Sequence, residues 1–145
     1  MKKDRKNIIL ESLAAMLEEK NMSKITTASL AEKSNITEAA LYRHFPSKRS
    51  IYAELFSFCD DTIFAKCNEL KKEKISAQEK VKKIFIFFML FIEKNKGFAR
   101  LLSREALSSA EQNVSDNVNQ FYERFELVLR PVSYTHLTLP TRLLV

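Results

Sequence analysis

The stretch Ile25–Lys48, ITTASLAEKSNITEAALYRHFPSK, restricts the fold of this chain more than any other part of it. Thr26 or Thr27 is placed to cap a helix carrying Ala28, Leu30 and Ala31. A short hydroxyl side chain accepts from a backbone N–H that the first helical turn leaves unpaired. Ser34-Asn35 allows only a sharp reversal, and Asn tolerates the left-handed backbone angles that Gly usually supplies there. Ile36 plugs the corner. Thr37 caps the next helix, Glu38 suits the positive end of its dipole, and Pro46 disfavours helix beyond Phe45. With Ala31, Ile36 and Leu41 as a small apolar seam, the pattern predicts a helix-turn-helix.

The second of these helices carries the chemistry. Its N-terminal end, where such motifs read base edges, offers Thr37, Glu38, Ala39 and Ala40. Paired alanines let a helix approach closely, and their methyls can meet a thymine methyl. Tyr42, Arg43 and His44 are expected beside the backbone as phosphate donors, with Thr26 and Thr27 at the start of the preceding helix. Lys48 follows the Ser47 cap of a further helix, where free N–H groups already favour an anion. Leu41 and Phe45 are expected to be core. His44 is open between an ordinary surface histidine and a donor to phosphate.

Charge agrees with a nucleic-acid partner. The net charge is +6 and the pI is near 9.3, which favour an anionic partner, nucleic acid before membrane surface. Ten Lys/Arg against six Asp/Glu in residues 1–50 put +4 of that charge in the first third. Lys2, Lys3, Arg5 and Lys6 make a basic arm leading into a helix whose apolar face is Ile9, Leu13, Met16 and Leu17. That arm reads either as a solvated end or as a segment that meets phosphate or the minor groove.

The wording LYRHFPSK (Leu41–Lys48), preceded by ITTASLAEKSNITEAA, resembles the DNA-binding signature of TetR-type regulators. SFCDDTIFAKCN (Ser57–Asn68) and EKNKGFARLLSREAL (Glu93–Leu107) carry the likeness on to Arg130, toward members of that family that act in nucleoid occlusion. The resemblance implies an all-α fold, a homodimer on palindromic double-stranded DNA, and antagonism of FtsZ ring assembly over the chromosome. It implies a cytoplasmic, nucleoid-associated protein without a cofactor or membrane partner. It also implies a protein-binding surface around Phe58, Lys66, Phe87, Lys94 and Asn95. Asn35 departs from the Gly usual at that turn.

The rest of the chain reads as a helical body. Three domains are expected: the DNA-binding head over 1–48, the body over 49–130 and a tail over 131–145. From Ser47 to Leu70, Tyr52, Phe56, Cys59, Ile63, Cys67 and Leu70 step by fours and threes along one apolar face. Eight residues of helix separate the two cysteines by about 12 Å, too far for a disulfide. They are therefore expected to be small core residues, in keeping with a reducing compartment and no metal site. Phe58 stands on a weaker strip with Leu55, Thr62 and Lys66. Ile84–Ile92, IFIFFMLFI, is only about half the ~20 residues of a membrane span. It is expected to be buried nearly all round, as filled core or as the lining of an effector cavity. Gly97 is expected to end that helix in a left-handed cap, with a short helix over Phe98–Leu107. Val114, Val118, Phe121, Phe125 and Val128 form a last seam.

From Pro131 the period disappears. PVSYTHLTLPTRLLV has two prolines and β-leaning side chains, and reads as an irregular tail foreign to the fold. The dimerisation helices that the family carries there are expected to be missing, which puts the homodimer in question. An enzyme fits poorly, with no nucleophile–base arrangement, glycine-rich phosphate loop or metal-ligand cluster in the sequence. Asp60-Asp61 are adjacent on a helix and point ~100° apart. Two functions remain: a DNA-bound inhibitor of FtsZ assembly, and a ligand-responsive transcriptional repressor.

Overall fold

In a computed structural model, which describes the backbone of residues 4–19 and 25–144 and the side chains of residues 4–19 and 25–130, the described residues form seven helices. They are α1 (Arg5–Glu18), α2 (Thr27–Lys33), α3 (Glu38–His44), α4 (Lys48–Lys71), α5 (Ala77–Lys94), α6 (Lys96–Leu102) and α7 (Gln112–Leu144), with a 3-10 turn Ser109–Glu111 before α7. No strand occurs among the described residues. Lys2 and Lys3 of the basic arm lie outside them.

The two periodic seams meet in one core. Every member of the Tyr52–Leu70 series and of the Val114–Val128 series is buried. Their aromatic rings interlock: Phe56 and Phe64 meet Phe121 edge-on at 6.2 and 5.5 Å, and Phe98 lies 5.3 Å from Phe56. An edge-to-face contact sets the electropositive rim of one ring against the electronegative face of the next, which adds to the area buried. Arg124 closes one flank, 2.8 Å from Asp60 and 4.0 Å above the Phe64 ring. Both cysteines are free and buried in α4. Burial, and then the neighbouring Asp60 carboxylate, push the Cys59 thiol up to about 12.

Three expectations fail, each for a physical reason. Ile84 is the one residue of α5 that is buried, while Phe85, Ile86, Met89 and Leu90 are exposed. A helix is covered only where neighbours exist. Here α4 and α7 take one face, with Phe88 resting 4.9 Å from Phe125. Gly97 has no positive φ and sits buried in the first turn of α6. A Cβ there would come 2.9 Å from the Ala14 carbonyl oxygen and 3.1 Å from the Leu17 Cβ, so Gly97 lets α6 press against α1. Asn95, whose Nδ2 donates to the Phe91 carbonyl, ends α5 instead. Finally, α7 is helical to Leu144, where an irregular tail was expected from Pro131 on. A helix already nucleated by the buried seam propagates more easily than it starts, and it does so here although Pro131 and Pro140 each lack the N–H of one ladder bond.

Candidate nucleic-acid interface

The head is three helices held by their caps. Thr26, not Thr27, caps α2: its Oγ1 accepts from the Ser29 N–H at 3.0 Å, and the Ser29 hydroxyl accepts from the Thr26 N–H at 2.8 Å. That pairing satisfies two donors that a helix start otherwise leaves orphaned. Asn35 adopts φ 57°, and the Ile36 N–H reaches back to the Ala31 carbonyl at 3.0 Å, which makes the reversal tight. Thr37 caps α3 by accepting from the Ala40 N–H at 3.1 Å. Ser47 caps α4 reciprocally with Ser50.

On this frame α3 turns Glu38, Ala39, Tyr42 and Arg43 outward, and roots itself with Leu41 and Phe45. Thr27, released from capping, gathers the outer face. Its hydroxyl donates to Glu38 Oε2 at 3.2 Å and shares a 3.1 Å hydrogen bond with the Tyr42 hydroxyl. Four of the expected residues, Thr27, Glu38, Tyr42 and Ala39, thus occupy one surface. Tyr42 keeps 47% of its surface exposed.

The paired alanines separate. Ala39 is exposed, whereas Ala40 is 8% exposed and forms a wall of a cleft beside the turn. At ~100° per residue Ala39 falls between Tyr42 and Arg43 on the outward face, and Ala40 falls beyond them, on the side of Leu41 and His44. His44 is half-buried at the end of α3, next to the Phe45 ring over which Lys6 lies at 5.4 Å. Thr26 is exposed at the start of α2.

The cleft behind α3 adds residues that the motif did not single out. Arg5, Lys33 and Arg43 line it with Asn35 and Thr37, and no acid is among its lining. Arg5 comes from α1 and Lys33 from the end of α2, so spacing within the motif could not pair them. At the front of α4, Lys48 Nζ lies 5.5 Å above the Tyr52 ring and 3.8 Å from Glu111, a residue of the 3-10 turn.

A second surface lies across α1, α4 and α5. Phe58 is 63% exposed at the edge of a groove of about 300 Å³ formed by Asn7, Leu10, Glu11, Ala14, Leu55, Cys59 and Asn95. Of the expected partner-binding residues, Phe58 and Asn95 meet here. Lys66 instead pairs with Glu69 at 3.5 Å, Phe87 packs half-buried 5.9 Å from the Phe91 ring, and Lys94 is exposed near the end of α5. None of these three lines the groove.

Known proteins resemble this chain in sequence and in fold. The model of the bacterial regulatory proteins of the tetR family matches residues 9–55. The nucleoid occlusion factor SlmA of Vibrio vulnificus (strain YJ016) is 36% identical over 132 residues, covering 90% of this chain and 67% of its own length. SlmA of Salmonella dublin is 38% identical over the same shares. Among solved structures, a transcriptional regulator from Aquifex aeolicus VF5 superposes with a TM-score of 0.69 at 19% identity, covering 88% of this chain and 72% of its own. The ketosteroid transcriptional regulator KstR2 of Mycobacterium tuberculosis gives 0.69 at 21%, covering 94% and 71%.

Proposed function

Because this chain belongs to the TetR family of DNA-binding bacterial regulators, with SlmA nucleoid occlusion factors among its relatives, we propose that it is a nucleoid occlusion protein. In this reading α3 enters the major groove of a palindromic site, two copies supplying two recognition helices. The DNA-bound protein then hinders FtsZ assembly over the chromosome in the cytoplasm.

One observation carries the DNA half: the outward face of α3, Glu38, Ala39, Tyr42 and Arg43, is continuous with Thr27 and backed by a rigid core. A small Ala39 permits close approach, Glu38 can accept from a cytosine amino group, and Tyr42 and Arg43 can donate to phosphate. The FtsZ half is supported by the likeness to SlmA and by Phe58. An aromatic side chain left in water beside an apolar groove suits an anchoring contact for a partner peptide.

A ligand-responsive repressor would need room around the phenylalanines of the body. Phe88, Phe98, Phe121 and Phe125 already pack at centroid separations of 4.9–6.1 Å, which favours filled core. The two readings part in a filament-assembly assay with purified FtsZ. Sedimented polymer should fall when protein and its selected DNA are added together, and stay unchanged with protein alone at equal concentration. No DNA-dependent loss of polymer would overturn the nucleoid occlusion reading.

A further inference from the structure

Lys48 has two claims on it. As the first residue of α4 it is a cation for which the sequence reading expects a DNA phosphate, yet its ammonium stands 3.8 Å from Glu111 Oε1. The two side chains are unlike in exposure, 36% for Lys48 and 4% for Glu111. Glu111 belongs to the body, on the 3-10 turn that leads into α7. Its other oxygen, Oε2, accepts from the Ser108 N–H at 2.8 Å and from the Ser108 hydroxyl, so the carboxylate is fixed where it stands.

A carboxylate taken out of water must be compensated, and a single cation is a large share of that compensation. Among the described residues Lys48 is the cation that pairs with Glu111. The carboxylate therefore draws the ammonium toward the body, and its own negative charge repels any phosphate brought close to the same lysine. Competition and repulsion act in one direction, both weakening the hold of Lys48 on DNA.

We propose that Glu111 is a positioning residue for the head. It holds the Lys48 ammonium against the body and so sets how much of that charge a phosphate can use. Any displacement of the Ser108–Glu111 turn then changes the grip of the head on DNA without touching α3. This rests on the reading of Lys48 as a phosphate contact.

The test is a salt series of binding to a short random-sequence duplex, comparing wild type, Glu111→Gln, Lys48→Ala and the double variant. Gln keeps an oxygen for the Ser108 donors and removes the charge. Each phosphate neutralised steepens the salt dependence by about 0.9 in log–log slope, worth about eightfold in affinity at ~0.1 M salt. With the Lys48 charge shared about equally between Glu111 and a phosphate, Glu111→Gln should tighten binding about threefold and steepen the slope by about 0.45, Lys48→Ala should weaken binding by about the same factor, and the gain of Glu111→Gln should vanish in the double variant. A merely structural Glu111 would lower the melting temperature and leave the slope unchanged. Unchanged or weaker binding by Glu111→Gln, with Lys48→Ala still impaired, overturns the inference alone. If Lys48→Ala and the double variant both bind like wild type, Lys48 is not a phosphate contact and the inference falls with that assignment.

Discussion

The hydroxyl oxygens of Thr27 and Tyr42 stand 3.1 Å apart, tying the first residue of α2 to the outer face of α3. The same threonine holds Glu38 at 3.2 Å, so three side chains that would meet DNA are already ordered by one another. Ordering before contact reduces the entropy lost on binding. Tyr42→Phe removes one end of this network and one phosphate donor together. It is expected to weaken a selected operator and a random duplex alike, by about fivefold, as befits a contact that carries no sequence information. Fluorescence anisotropy on the two duplexes checks this, and a loss confined to the operator would contradict it.

The two alanines should behave differently. Ala39→Leu places a branched side chain on the exposed face. It should damage operator binding while leaving the melting temperature unchanged. Ala40→Leu forces bulk into a position with 8% exposure and should destabilise the fold by about 1–3 kcal/mol. Denaturant titrations alongside operator binding separate the two outcomes.

Gly97→Ala is expected to destabilise by roughly 1–3 kcal/mol. Its Cβ would meet the Ala14 carbonyl oxygen at 2.9 Å, and backbone cannot move aside as a flexible side chain can. Thermal unfolding reads the effect, and an unchanged or raised midpoint would show that α1 and α6 are not in the close contact described.

Phe58→Ala should abolish the DNA-dependent effect on FtsZ while leaving DNA affinity intact, because Phe58 lies on the α1–α4 groove and not among the α3 residues. The polymer assay and anisotropy on the same preparation are sufficient. Equal loss of both activities would mean that the variant is misfolded or that the surfaces are not separate.

Cys59, Cys67 and Tyr52 are all raised chiefly by burial, Cys59 to about 12 from an ordinary 9.0. A group whose folded pKa is raised holds its proton in the folded state after the unfolded chain has released it. Stability therefore falls as pH rises from about 9, by up to roughly 1.4 kcal/mol per pH unit for one such group. Unfolding free energies measured from pH 8 upward should decline, and Cys59→Ala should flatten the decline. At pH 8 iodoacetamide should label Cys59 only as the protein opens, which mass spectrometry can follow.

Much of the head was legible because its determinants are local. Thr26, Thr37 and Ser47 cap the next turn of their own chain, and Asn35 sets its own φ at 57°. The seams of α4 and α7 were equally readable, since a period of fours and threes records which face is buried. What the sequence hid were relations between distant segments. Gly97 looks like a helix stop until α1 is seen against it. The apolar run of α5 records hydrophobicity on every side but not which sides have neighbours. The pairs Lys48–Glu111 and Asp60–Arg124 join residues more than sixty positions apart, as no local pattern could reveal. The split between Ala39 and Ala40 was within reach, because ~100° per residue sets Ala39 between Tyr42 and Arg43 and turns Ala40 toward Leu41, itself read as core.

The central claim, a recognition helix in the major groove presented in two copies, is tested most directly by dimethyl sulfate footprinting of a selected duplex. Guanine N7 lies in the major groove and adenine N3 in the minor groove, so the two protections report different docking. The expected result is N7 protection in two patches about one helical turn apart, lost with Ala39→Leu and retained with Phe58→Ala. Protection confined to adenine N3, or N7 protection unaffected by Ala39→Leu, would contradict it.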